Sequence, residues 1–336
     1  MMATTSPLPV LVMDAGQTGV RAELTVDDRV LLHHEGEGVV TDRPVVPQLA
    51  AMAREVLDRA TAQGLLGREP VVLAVGSSGL TPGEDAGQLA EAVGVGVHKV
   101  LLAHDSITSY LGALGDRTGV VVAAGTGVVT LAVGDEQVAR VDGWGNLIGD
   151  AGSGYWIGRA SLDAVMRAHD GRGPATALSA PVQEHFDGDL EGAYMVLQAD
   201  PHRVRHIAAW SRTVAELAAD DEVCRDICER AGQELACSAL AGLRRVGLSG
   251  VGSDGVGLDG TVEVPVGMVG KVFDSPHVRE SFTRTVQEQC VGAWPTRTTT
   301  DGLRGAARLP LLSPGSALRR DVGRAGSGGP AAARGA

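Results

Sequence analysis

Lysine and the aromatic residues are nearly missing from this chain. Only two of its 29 basic residues are lysines, Lys99 and Lys271, and Phe, Trp and Tyr make up 3% of the whole. No lysine stands in either of its early glycine-rich turns, which excludes a phosphate-binding loop of the Gly-x-x-x-x-Gly-Lys-Ser/Thr kind. Positive charge is also short: 41 acidic residues leave a formal net charge of -12, the wrong sign for a nucleic-acid partner. Four cysteines are too few and too irregular for a disulfide scaffold or a metal site, and Cys224 and Cys228 read as buried or incidental thiols. The longest apolar run, from Gly119 to Gly134, has Gly125-Thr126-Gly127 in its middle and falls short of the roughly 20 residues of a membrane span. The first ten residues lack the basic start and apolar stretch of a secretory signal, so the expectation is a soluble, cytoplasmic protein.

What is present is a core. Of the 336 residues, 44% are apolar, enough for two domains. The chain opens as strand, tight turn, strand (PVLVMD, AGQTG, VRAELTVDD), with a third apolar run at Val30 to Leu32. Apolar positions three and four apart predict a helix from Val45 to Gln63, ended by Gly64. Two buried-type runs, VVLAVG and HKVLLAHD, then alternate with helices near Asp85 to Val93 and Ser106 to Leu114, the pattern of a largely parallel sheet covered on both faces. At Gly119 the opening order returns: GVVVAA, GTG, VVTLAVGD and QVARVD. This reads as an internal repeat of two lobes, or as two unrelated glycine hairpins of the sort any α/β protein offers. Helices are expected at Tyr155 to Ala168, Pro174 to Phe186, Leu190 to Leu197 and Arg203 to Val246. The glycine-rich LSGVGSDGVGLDG, the strand VEVPVGMVG and a helix at Asp301 to Leu309 follow. The domains expected are residues 1–115, residues 116–310 with a helical insertion, and a partly disordered tail, 311–336, with the last helix free to pack back on the first lobe.

Glycine-threonine turns let a backbone approach phosphates and aim its N–H groups at them. Asp14, ending the first strand beside Gly16, Gln17 and Thr18, stands where a carboxylate can hold magnesium. Asp105 closes HKVLLAHD where a helix begins; it is either the N-cap of that helix or a base orienting a substrate hydroxyl. The segment VDGWGNLIGDAGSGYWIG carries six glycines around Asp150, Trp144 and Trp156, and reads as a ligand loop or as a flexible connection.

DAGQTG, HDSITSYLGAL, AAGTG and above all GWGNLIGDAGSGYWIG resemble the motifs of N-acetylglucosamine kinases and of the wider BadF/BadG/BcrA/BcrD-type ATPases, within the acetate kinase, sugar kinase, Hsp70 and actin superfamily. The resemblance runs from about residue 9 to 309. It implies an α/β fold of two ribonuclease-H-like, actin-like ATPase lobes with a central cleft, the second lobe carrying the helical insertion. It also implies ATP and Mg²⁺ as cofactors and phosphorylation of the 6-hydroxyl of an amino sugar, N-acetylglucosamine or glucosamine. On it, Asp14, Gly16, Gln17 and Thr18 form the first phosphate turn, with Asp14 near the metal, and Gly125, Thr126 and Gly127 form the second. Asp105 becomes the base. Ser77, Ser78, Gly145 and Asp150 meet the sugar, Gly270 and Lys271 lie at the nucleoside, and Gly305 packs by the adenine. The chain departs from the family pattern at Gln17, Ala151 and Lys271. Two alternatives stay open: an ATPase of the reductase-activator type, which would need an iron-sulfur cluster, and a sugar-sensing protein with a degenerate site. A homodimer is a further expectation, since spare apolar positions between Arg203 and Val246 suit either a partner or the core.

Overall fold

The computed structural model describes residues 8–17, 19–27, 29–67, 69–81, 83–94, 96–248, 263–298 and 301–326. Thr18 and the glycine-rich segment 249–260 therefore lie outside the described residues. The chain divides into two compact units, one built from residues up to Arg117 together with those from Thr300 onward, the other from Thr118–Thr299.

The first unit begins with the predicted meander, β1 (Val10–Ala15), β2 (Val20–Val26) and β3 (Arg29–Gly36). Helix α1 (Val46–Ala62) follows, with Pro47 in its first turn and Leu49, Ala53, Val56 and Ala60 buried on one face. Next come β4 (Val71–Ser77), α2 (Ala86–Val93), β5 (Val97–His104) and α3 (Asp105–Leu114). Asp85 caps α2 by accepting from the Gln88 amide at 2.9 Å. β1, β4 and β5 run parallel, which brings their C-terminal ends to one edge of the sheet. β4 is buried along its whole length, as a strand covered on both faces must be.

The second unit repeats the plan with β6 (Gly119–Ala124), β7 (Val128–Val133), β8 (Val138–Val141), α4 (Gly154–His169), α5 (Ser179–His185), α6 (Ala193–Ala199), α7 (Arg203–Leu217), α8 (Glu222–Arg245), β9 (Val264–Val269), α9 (Pro276–Gln289) and β10 (Ala293–Arg297). Its strand order, β10-β9-β6-β7-β8, mirrors the β5-β4-β1-β2-β3 of the first sheet: an antiparallel meander extended by two parallel strands. The internal repeat is thus real, and the fold is the two-lobed α/β one expected. Each unit has its own apolar core.

Several boundaries differ from the sequence reading. The helical stretch from Arg203 to Val246, whose internal break the sequence left unplaced, is two helices, because Asp221 turns its carboxylate to the Cys224 amide at 2.8 Å and the Ala177 amide at 2.6 Å, starting α8 afresh. α5 covers only half of the stretch expected. α9 and β10 escaped notice; Pro295 inside β10 argues against a strand, yet β10 is the outermost strand, where proline costs no ladder bond. Finally, the chain after Thr299 belongs with the first unit. Helix α10 (Gly302–Ala307) packs there on α3, and β11 (Gly323–Gly326) adds a sixth strand antiparallel to β5. The tail from residue 311, expected to be partly disordered, is therefore built structure as far as Gly326. Asp116 fastens it, accepting from the Ser316 hydroxyl at 2.6 Å and the Ser313 amide at 2.9 Å.

Candidate active site

In the first unit, strand register gathers the candidate residues. Asp14 lies beside Gly76, Ala15 beside Ser77, and Ser77 beside His104, so Asp14, the two serines and Asp105 share the C-terminal edge of the sheet. Open α/β sheets bind ligands at that edge. The turn after β1 is closed by the Gly16 amide donating to the Gly19 carbonyl at 3.0 Å, and Gln17 within it is exposed.

Asp14 is half-buried, and burial pushes its carboxyl above the usual range even though the Arg21 guanidinium beside it pulls the other way; Asp301 and Asp105 add to the rise. Arg21 reaches Asp14 at 2.7 Å and Asp301 at 2.9 Å. Asp301 also caps α10 through the Leu303 amide at 3.2 Å. Gly302 leaves no room for a side chain, since a Cβ there would strike the Asp14 carboxylate. Carboxylate oxygens are the donors magnesium takes, and Arg21 holds only one of the two on Asp14. No group of three or more metal-type side chains forms among the described residues. Asp14 would therefore supply one carboxylate and leave the other positions to phosphate and water, as is usual for this ion.

Asp105 is the first residue of α3, not its cap. His104 takes the cap position, its Nδ1 lying 3.2 Å from the Ser106 amide. Both Asp105 oxygens are thus free of capping duty, and one stands 2.8 Å from His104 Nδ1. Of the two serines, Ser77 is fully buried and donates to the Ser78 carbonyl at 3.0 Å, which removes its hydroxyl from any open surface; Ser78 is half-buried and its amide holds the Ala15 carbonyl. The place of a side chain on Gly305 is filled by the Thr108 carbonyl of α3, so its smallness serves close packing of α10 on α3.

In the second unit, Gly125, Thr126 and Gly127 form a tight turn, the Gly125 amide donating to the Gly127 carbonyl at 2.8 Å, with Thr126 exposed. The glycine-rich segment is built onto this turn. Gly154 and Tyr155, opening α4, donate their amides to the Gly125 and Thr126 carbonyls at 2.8 and 3.0 Å. Ser153 caps the helix through the Trp156 amide at 3.2 Å. Asp150 is buried with its carboxylate against Gly127, where a Cβ would not fit, and is held by the backbone N–H groups of Val128 and Gly145; burial nonetheless raises its pKa. Asp142 in turn accepts from the amides of Asp150 and Ala151 at 2.8 and 3.1 Å. The segment is a buttressed loop and no loose connection, though Trp144, Leu147 and Ile148 at its tip are exposed. Across the same sheet edge, Gly270 (φ 95°) ends β9 against the backbone of Ala124, and Lys271 begins a 3-10 turn with its side chain exposed.

The model of the BadF/BadG/BcrA/BcrD ATPase family matches residues 13–309. The chain belongs to this family. Among curated relatives, an N-acetylmuramic acid/N-acetylglucosamine kinase of Clostridium acetobutylicum is 31% identical over 137 residues, 38% of this chain and 45% of the relative. An N-acetyl-D-glucosamine kinase of Dictyostelium discoideum is 36% identical over 115 residues, 34% of each chain. The chain thus matches less than half the length of either. Among solved structures, a candidate N-acetylglucosamine kinase from Chromobacterium violaceum superposes with a TM-score of 0.66 at 26% identity, covering 92% of this chain and 100% of the other. The ROK hexokinase of Thermus thermophilus shares the fold at a TM-score of 0.51 and 14% identity, over 90% of this chain and 97% of that one.

Arg21, His104, Asp142 and Asp301 escaped the sequence reading. Only Asp301, an acid just before a helical run, had a local signal.

Proposed function

We propose that the protein is an ATP-dependent sugar kinase that phosphorylates the 6-hydroxyl of an amino sugar, N-acetylglucosamine or glucosamine. The observation that carries this reading is the placement of Asp105. Its carboxylate is spared from capping, starts a helix at the C-terminal edge of the first sheet, and shares that edge with Asp14. Kinship with the named amino-sugar kinases supports the substrate class.

Phosphoryl transfer asks for in-line positioning and charge stabilisation more than for covalent help. Asp105 would accept the proton of the attacking hydroxyl and orient its oxygen. The turns at 16–18 and 125–127 would offer backbone N–H groups to the phosphates, and Gly270 and Lys271 would lie at the nucleoside. Asp14 would hold Mg²⁺, which when bound neutralises phosphate charge. Asp150 supports the reading by stiffening the second turn, and Gly145, whose amide it holds, would face sugar hydroxyls together with Ser78. The reductase-activator alternative is disfavoured: its cluster would need cysteines at a subunit surface, and Cys224, Cys228 and Cys290 are buried.

The test is ADP release measured across glucose, glucosamine, N-acetylglucosamine and mannosamine derivatives with a no-sugar control, followed by NMR assignment of the phosphorylated carbon. Asp105→Asn should lower kcat by about 10²-fold or more with the melting temperature unchanged. Near-normal turnover in that variant would sink the base assignment. Binding of ATP and sugar with no ADP release would favour a sensor.

A further inference from the structure

The geometry points to His104 as a positioning residue for Asp105, an inference that rests on Asp105 being the base. His104 Nδ1 has three neighbours: Asp105 Oδ1 at 2.8 Å, the Ser106 hydroxyl at 3.0 Å and the Ser106 amide at 3.2 Å. A carboxylate at that distance calls for a proton on Nδ1, whereas the Ser106 amide calls for a lone pair. One nitrogen cannot serve both at once. The carboxylate contact is the shorter and the charged one, and hydrogen bonds to an ionised acceptor are roughly twice as strong as neutral ones. Nδ1 of His104, although it stands at the cap position of α3, therefore carries a proton and gives it to Asp105 rather than a lone pair to the Ser106 amide.

The backbone makes this pairing stiff. His104 is the last residue of β5, with Ser77 of β4 beside it in register, while Asp105 is already helical. Both side chains are partly exposed, at 30% and 38%. Without a tether, a carboxylate so placed would sample several rotamers. Tying one oxygen leaves the other aimed at the incoming hydroxyl, and misplacement by about 1 Å can cost on the order of 10²-fold in rate.

Three substitutions separate positioning from capping. Asparagine can both accept from the Ser106 amide and donate to Asp105; aspartate caps the helix and cannot donate; alanine does neither. The inference expects His104→Asn to keep kcat within about threefold of the wild type. His104→Ala and His104→Asp should lose about tenfold or more in kcat, with the KM for ATP and for sugar within about twofold, because the effect is on reacting geometry and not on ground-state binding. Melting temperatures should be alike for His104→Asn and His104→Asp. Equal kcat in all three variants, or restoration by aspartate as well as asparagine, would overturn the inference. Independently of turnover, long-range ¹H–¹⁵N spectra should show a protonated Nδ1 at His104 that loses its proton in Asp105→Asn. A bare Nδ1 in the wild type would end the proposal even if Asp105 is the base; retained activity in Asp105→Asn would end the base reading even if the pair exists.

Discussion

Asp14 sits in a conflict that Arg21 holds in check. Burial and two nearby carboxylates favour its protonated form, and a single guanidinium opposes them. A carboxyl raised above its ordinary range binds its proton more tightly in the folded chain. Its contribution to stability is then full below that range and fades as pH climbs through the raised value. Arg21→Gln should consequently cost less the further pH falls below the ordinary carboxylate range, as Asp14 takes up its proton, and roughly 1 to 2 kcal/mol near pH 7, where it leaves a half-buried carboxylate without its partner. Denaturant midpoints of the two proteins against pH check this; a gap that narrows toward pH 7 would contradict it. At this scale the sequence showed Asp14, Asp105 and Asp150 because each ends a strand or interrupts a glycine run. Arg21 and Asp142 were hidden because an arginine on a strand and an aspartate before a glycine look ordinary until register and loop closure give them partners.

Among the elements, α10 packs closely on α3. Gly305 meets the Thr108 carbonyl where a methyl group would have to go. Gly305→Ala should lower stability by about 1 to 3 kcal/mol through overpacking, read as a lower melting temperature, and the cost should appear without nucleotide present. A neutral effect would favour a ligand-facing role for this glycine. Strands and amphipathic helices were legible wherever periodicity and caps agreed, as in α1 and α2. They failed where a rule met its exception, as at Pro295 on an edge strand.

Over the whole molecule, the repeat of two meanders could be read from GQTG and GTG, and the return of the last helix to the first lobe was left open, but the strand at 323–326 could not be foreseen, because no local pattern says which sheet a returning strand will join. Asp116 is the lock. Burial pushes its carboxyl up, yet the Ser316 hydroxyl and Ser313 amide hold it below the usual range, so its support for the returning segment is complete at neutral pH and is lost as pH falls through the depressed value. Asp116→Ala should cost about 1 kcal/mol and raise amide exchange in 313–326. Ending the chain at Leu312 should go further. It bares the edge of β5, an invitation to intermolecular pairing, and increased light scattering on warming is the expected sign. A truncated protein as stable and monodisperse as the full chain would refute this account of the segment.

Because α10 and β11 are made after the second unit and belong with strands made before it, the opening unit waits on the ribosome, its sheet lacking a border and its helix α3 lacking a neighbour, until the inserted unit has been translated. The inserted unit suffers no such delay.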